Sequence, residues 1–194
     1  FIGKKKGEFK RTSNRHDYAI SPSGITALNI LKDNNYEVRC VGKINDIFNG
    51  CGVTSTVHTT SNNDGMDKTL NICLDRSFNS GLCFVNLVEF DSEYGHRRNT
   101  IGYGKAIEEF DEKLNILLES LRDDDLLMIT ADHGNDPTFK GNDHTRENVP
   151  VIIYSRNFKA PGRLKQFDTL ADVGAMIADN FEVAAPAIGE SILD

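Results

Sequence analysis

The sequence has little positive charge: 22 lysines and arginines stand against 29 aspartates and glutamates, for a formal net charge of −7 at pH 7. Proteins that bind nucleic acid usually carry basic stripes or patches, so nucleic acid is not expected as a partner. An acidic protein that acts on an anionic substrate must bring positive charge to it locally. Bound metal ions do this well.

The sequence also lacks a CxxC motif and any long apolar run. Cys40, Cys73 and Cys83 lie in apolar stretches, which predicts buried free thiols rather than a metal site. No segment is typical of a signal peptide, a membrane span or a lipid attachment site. We therefore expect a cytoplasmic protein with no membrane partner.

The chain starts without methionine, at Phe1, and we expect it to be a piece of a longer protein. Residues 1–22 are polar and basic, and regular hydrophobic periodicity follows them. The candidate domain boundary therefore lies near residue 20. We find no internal repeat and no low-complexity segment.

Hydrophobic patterns predict alternating helices and strands along the rest of the chain. Apolar runs predict buried strands at 81–90, 125–130 and 149–154, and residues 36–42 (YEVRCVG) are also predicted as a strand. Helical spacing predicts helices from Ser23 onward and at 43–48, 64–78, 101–122 and 170–181, with a loop at 49–61. This alternation indicates an α/β fold with a mainly parallel sheet and helices on both faces.

Metal-binding side chains follow two of these strands. Asp91 comes directly after one strand, with His96 five positions later, and Asp132-His133 follows the next. His144 lies eleven residues further on, before the last strand. Ligands of open α/β sheets bind beyond the carboxyl ends of the strands, where these residues are expected. Carboxylate with imidazole favours zinc or manganese.

Each of these residues alone is weak evidence. An aspartate after a strand often forms a turn, and a single histidine is usually a surface or core residue. What predicts a metal site is that three of the five histidines have aspartate partners in polar, glycine-rich loops. His16 and His58 have no such partners, and we interpret them as structural or solvent-facing.

Three segments carry a more specific signature. They are residues 86–111 (NLVEFDSEYGHRRNTIGYGKAIEEFD), residues 130–154 (TADHGNDPTFKGNDHTRENVPVIIY), and the opening from GEFKRTSNRHDY through VGKINDIFNG. They resemble phosphopentomutases of the alkaline phosphatase superfamily, at consistent spacing over essentially the whole chain. Two positions depart from the family pattern: Asn135 stands where cysteine is frequent, and Glu89 where aspartate is common.

The resemblance implies an alkaline-phosphatase-like core that lacks its N-terminal strands. Residues 1–20 would be the end of a cap domain and its return linker, and residues 21–194 the C-terminal part of the metal-binding core. The implied activity is the interconversion of ribose or deoxyribose 1-phosphate with the 5-phosphate, in nucleoside catabolism. It would proceed through a phosphoenzyme and a bisphosphorylated sugar.

The resemblance also implies a site with two divalent ions, for which we favour Mn²⁺. Asp91, His96 and His144 would hold one ion. Asp132 and His133 would contribute to the second. Its other family ligands, an aspartate and the threonine nucleophile, lie upstream of this chain, which would leave the fragment itself inactive.

Substrate contacts are expected from arginine. Arg11 and Arg15 lie in the segment that resembles the cap, and a guanidinium fork suits the phosphate that is not transferred. A solvated basic patch is the alternative interpretation. Lys43 and the pair Arg97-Arg98 are further candidates for the cleft.

Two other functions stay open. A cofactor-independent phosphoglycerate mutase or a phosphatase of the same superfamily would share the metal ligands and differ in its substrate contacts. A metal-binding fragment without catalytic activity is the second alternative. The oligomeric state is left undetermined.

Overall fold

A parallel three-stranded sheet is the centre of the part of the chain that the structure, a computed structural model, describes: residues 2–9 and 19–193. The central strand β1 (Glu37–Val41) pairs with β2 (Ser55–Val57) on one side and β3 (Gly81–Val85) on the other. The strands end level, because Val41 is opposite both Val57 and Val85. Their carboxyl ends therefore form one edge.

Helices cover both faces of this sheet. The helices of the described residues are α1 (Ala27–Asp33), α2 (Ile44–Ile47), α3 (Asn62–Leu74), α4 (Thr100–Ser120), which packs on α3, and α5 (Ala171–Asn180). Val38 and Cys40 of β1 are buried against α1 and α5, whereas Val41 is buried against Ile72 of α3. Alternate side chains of a strand point to opposite faces, so a strand covered on both faces is apolar throughout.

A second sheet, with two strands among the described residues, lies apart from the first. Its strands β4 (Leu127–Thr130) and β5 (Val151–Tyr154) are antiparallel. The fold class, α/β with a parallel sheet, is confirmed, but a parallel continuation through β4 and β5 was the wrong expectation. A parallel pair needs a crossover, usually a helix, and residues 131–150 form none. The second sheet contacts α4 instead: Leu127 packs against the cluster that contains Leu117 of α4 and its C-cap Leu121, and Nη2 of Arg156 donates to the carbonyl of Glu119 at 2.8 Å.

The first helix begins later than its sequence predicts. Thr26, not Ser23, is its N-cap: the Thr26 side chain accepts a hydrogen bond from the backbone N–H of Asn29, and the Asn29 side chain accepts one in return from the backbone N–H of Thr26. This reciprocal capping satisfies two amide donors that a helix start leaves unpaired.

Two strand predictions are also corrected. The strand predicted at 81–90 ends at Val85, and Phe90–Gly95 forms a π-helical turn. Strand β2 lies in a segment predicted as a loop. It is three residues long and largely exposed, so it has no hydrophobic pattern, and only its pairing with β1 defines it.

The four cysteines are free thiols, and Cys40 is fully buried as predicted. Cys73 and Cys83 are only partly buried. Burial raises the pKa of Cys40 to about 11 and that of Cys83 to about 12, so both stay protonated and pack as small apolar groups. Within the described residues, no helix is long and apolar enough to cross a membrane.

Candidate metal centre

Asp91 and His96 are brought together by the π-helical turn after β3. The backbone N–H of His96 donates to the carbonyl of Asp91 at 2.9 Å, five residues back. Such i to i+5 turns are rare and are frequent at functional sites. Asp91 therefore reaches the edge of the sheet from a turn, not from the end of a strand.

Aromatic side chains of α4 pack against the first residue of this turn. Phe90 lies 5.6 Å from the ring of Tyr103 and 6.3 Å from that of Phe110, both on α4. Burial, with a smaller contribution from the charge of Asp91, raises the pKa of Tyr103. The phenol therefore stays neutral beside the carboxylate.

His144 reaches the same place from the loop between β4 and β5. The loop folds back on itself through an isolated antiparallel bridge between Gly134 and Thr145. The backbone N–H of Asp136 also donates to Oγ1 of Thr145 at 2.6 Å. A Cβ atom on Gly134 would lie 3.0 Å from the backbone nitrogen of Glu147, so the bridge leaves little room for a larger residue.

Asp91, His96 and His144 converge so that their ligand atoms all lie within 4.8 Å of one another. Nε2 of His96 is 3.4 Å from Oδ2 of Asp91, and Nε2 of His144 is 3.2 Å from Oδ1. The two Nε2 atoms are 3.1 Å apart. Donors bound to one ion at about 2.1 Å are roughly 3.0–3.4 Å apart, so this set fits a divalent ion.

Hydrogen bonds orient two of these side chains. Nδ1 of His96 lies 2.5 Å from the backbone carbonyl of Asn142, which can only accept, so Nδ1 is the donor and Nε2 is the ring nitrogen available to a metal in the neutral tautomer. Asp91 accepts a hydrogen bond from Nδ2 of Asn135 at 2.7 Å. Partners of this kind hold a ligand in the orientation that a metal requires.

The pair Asp132-His133 lies beside this triad without joining it. The ring of His133 stacks on that of His144, with centroids 3.8 Å apart and planes 25° apart. Asp132 is 73% exposed and lies 3.6 Å from Nε2 of His133. His133 thus adjoins the predicted ion, and Asp132 faces open solvent next to it.

The two neighbouring arginines have different surroundings. Arg97 is exposed and pairs with Glu93 on the surface at 2.8 Å. Arg98 turns inward and donates to the π-helical turn and to the loop that carries His144. These contacts direct Arg98 to the protein instead of to a substrate cleft, whereas a place in the cleft for Arg97 or Lys43 stays a prediction. Arg11 and Arg15 lie outside the described residues.

Comparison with known proteins agrees with this geometry. The sequence model of the metalloenzyme superfamily matches residues 4–185, which is most of the chain. The chain belongs to the metalloenzyme superfamily.

Several curated relatives of this chain are named phosphopentomutase. Phosphopentomutases of Agathobacter rectalis and Clostridium botulinum are 59% and 58% identical to it over 196 residues. That of Clostridium beijerinckii is 55% identical over 195 residues. Each alignment covers 100% of this chain and 49% of the relative, so the chain spans about half the length of these relatives. The family resemblance inferred from three sequence segments is confirmed.

Two hydrogen-bonding groups of the candidate site were not predicted from the sequence. Asn135 was noted only as a departure from the family pattern, yet its amide contacts Asp91. The carbonyl of Asn142 orients His96. A backbone carbonyl is the same in every residue, so the sequence holds no signal for that contact. Asn135 has one weak signal, its place three residues after Asp132.

Proposed function

We propose that the full-length protein to which this chain belongs is a phosphopentomutase, which interconverts ribose or deoxyribose 1-phosphate with the corresponding 5-phosphate. The observation that carries the proposal is the convergence of Asp91, His96 and His144, in a chain 55–59% identical to proteins of that name. A donor set of one aspartate and two histidines suits a divalent ion that keeps positions open for substrate oxygens.

In this proposal two divalent ions, Mn²⁺ by preference, are bound. Such a pair lowers the pKa of a nucleophile and stabilises charge on the attacking and leaving oxygens of a phosphoryl group. Asp91, His96 and His144 hold one ion. Asp132 and His133 contribute to the second, and the exposure of the Asp132 carboxylate leaves it accessible for that role.

The nucleophile is proposed to be a threonine upstream of this chain, which forms the phosphoenzyme. The residues of this chain then hold the proposed metal ligands in place. The carbonyl of Asn142 accepts from Nδ1 of His96 and so orients its Nε2 toward the triad, and Asn135 donates to Oδ1 of Asp91. Positioning and electrostatic stabilisation supply most of the catalysis in phosphoryl transfer.

Substrate choice decides between this function and others of the same superfamily. With Mn²⁺, the purified full-length protein should convert ribose 1-phosphate to ribose 5-phosphate and leave 3-phosphoglycerate unchanged. Chelation with EDTA should stop the reaction, and added Mn²⁺ should restore it. Turnover of 3-phosphoglycerate without turnover of ribose 1-phosphate would replace the proposal with a phosphoglycerate mutase.

A second prediction concerns the part of the substrate that does not react. Residues 1–20 are proposed as the end of a cap domain, with Arg11 and Arg15 bound to the spectator phosphate. Replacing either by lysine keeps the charge and loses the bidentate fork. We expect kcat/KM for ribose 1-phosphate to fall about 10- to 100-fold, the usual range for a lost hydrogen bond to a charged group.

The matched control for these arginines is Lys4→Ala, which removes an exposed positive charge from the same basic segment. It should leave kcat/KM unchanged. If the double variant Arg11→Ala and Arg15→Ala also keeps the full kcat/KM, both arginines belong to a solvated basic patch.

A further inference from the structure

The geometry points to Arg98 as a positioning residue that clamps the two halves of the metal centre together and, through Asn135, orients Asp91. One half is the π-helical turn with Asp91 and His96. The other is the loop with His144. The effect on turnover rests on the proposed function, whereas the effect on metal binding depends only on the triad.

The guanidinium of Arg98 donates to both halves at once. Its acceptors, within the described residues, are four backbone carbonyls and one side-chain amide: Gly95 at 3.0 Å, Asn135 Oδ1 at 2.7 Å, Asp136 at 2.8 Å, Gly141 at 2.5 Å and Asp143 at 2.6 Å. An arginine has five N–H donors in a rigid planar fork, and every nitrogen of this one has a protein acceptor; the three acceptors of Nη1 share its two N–H groups. Arg98 is therefore directed into the protein, not toward a substrate.

The first effect of Arg98 passes through the amide of Asn135. Because Oδ1 of Asn135 accepts from Arg98, its Nδ2 must point the other way, and it donates to Oδ1 of Asp91 at 2.7 Å. An amide's two ends are assigned by such a network. The same Asp91 oxygen lies 3.2 Å from Nε2 of His144. The relay thus ends on a proposed ligand atom.

The second effect passes through the loop backbone. Gly141 and Asp143, which accept from Arg98, flank Asn142, whose carbonyl contacts Nδ1 of His96. Asp143 also directly precedes His144. One side chain therefore holds the carbonyl that orients one histidine and the backbone that carries the other.

Two further features agree with this clamp. The backbone of Arg98 has φ of 51°, in the left-handed region that is uncommon for residues with a side chain and is kept where surrounding contacts require it. Gly95 packs directly on the relay, because a Cβ atom there would lie 2.5 Å from Nδ2 of Asn135. The turn has room for Asn135 only because residue 95 is glycine.

The test compares Arg98→Lys with Arg97→Ala in the full-length protein, using Mn²⁺ alone as the probe. Lysine keeps the charge but cannot bridge five acceptors. Isothermal titration should show Mn²⁺ affinity of the triad reduced about 10- to 100-fold in Arg98→Lys, the usual cost of losing a group that orients a ligand. Arg97→Ala, which loses only the surface pair with Glu93, should bind Mn²⁺ as the wild type does.

A structural role alone would lower stability without changing the bound metal. The absorption spectrum of the protein saturated with Co²⁺ should therefore differ between Arg98→Lys and wild type, since the ligand geometry is altered. Asn135→Ala cuts the relay and leaves the loop contacts of Arg98 in place. It should weaken Mn²⁺ binding several-fold, and it tests the relay from Arg98 to Asp91 even if Arg98→Lys does not fold.

Wild-type Mn²⁺ affinity and an unchanged Co²⁺ spectrum in folded Arg98→Lys would overturn the clamp, and wild-type affinity in Asn135→Ala would overturn the relay. Neither result bears on ribose 1-phosphate turnover by the wild type. Conversely, a wild-type protein without mutase turnover would end the proposed function and leave the Mn²⁺ comparison valid.

Discussion

Replacing His96 by alanine should abolish mutase activity of the full-length protein and weaken its Mn²⁺ binding by at least about 100-fold. Loss of a group that merely orients a ligand costs roughly 10- to 100-fold, and loss of a ligand costs at least as much. His96 is central to the triad, because its Nε2 is 3.1 Å from that of His144 and 3.4 Å from Asp91. His144→Ala should have the same effect.

Asp132→Ala should distinguish the two proposed ions experimentally. It is expected to abolish turnover as well, yet to keep the Mn²⁺ bound by the triad, since Asp132 contacts His133 and not the triad. Ribose 1-phosphate turnover and isothermal titration with Mn²⁺ measure the two effects. Circular dichroism should show that each variant is folded.

The matched control is His58→Ala, since His58 is an exposed histidine outside the triad. It should bind Mn²⁺ as the wild type does. Retention of more than about a tenth of the wild-type rate in His96→Ala, Asp132→Ala or His144→Ala would count against the assignment of that residue, given the usual cost of such losses.

Residues 1–194 alone should bind one Mn²⁺ tightly and a second weakly, and should not turn over ribose 1-phosphate. The first site has its three proposed ligands, Asp91, His96 and His144, within this chain. The second has only Asp132 and His133, and water would have to complete its coordination. Three protein ligands with open positions are usual for a catalytic ion, and two hold an ion less well.

Tight binding of one Mn²⁺ requires that the first site keep its geometry when residues 1–194 are produced alone. Strands β4 and β5 pair with each other and contact α4 through Leu127 and Arg156, and the loop between them is held by Arg98. Titration with Mn²⁺ should therefore be paired with circular dichroism of the same sample. His96→Ala should remove the tight site. Two equally tight sites, or any mutase turnover by residues 1–194, would contradict this prediction.

Much of the fold follows from local sequence. The apolar stripe predicted a helix at 101–122, and α4 is Thr100–Ser120. The apolar run at 125–130 predicted β4, which is Leu127–Thr130. These patterns are readable because burial of one helix face, or of a whole strand, requires apolar residues at fixed spacing. Residue types and spacing were likewise enough to single out Asp91, His96 and His144.

The partners of those elements were decided only by tertiary structure. The apolar run of β4 predicts a buried strand but not its neighbour, and the missing crossover helix makes its pairing with β5 antiparallel. The run ending at Phe90 resembles one strand because apolar residues continue past Val85: Leu87 packs against a buried cluster with Leu117, and Phe90, the first residue of the π-helical turn, packs on Tyr103. Periodicity cannot distinguish the two, since both bury apolar side chains.

The sequence by itself determined which residue types are available as metal ligands in this protein: an aspartate and histidines in glycine-rich loops beside buried strands. Tertiary structure decided how those side chains are held. Arg97 and Arg98 are the same residue type side by side, yet one pairs with Glu93 on the surface and the other donates to five groups of the π-helical turn and the following loop. Four of those five are backbone carbonyls, which carry no sequence information, so only the fold could distinguish the two arginines.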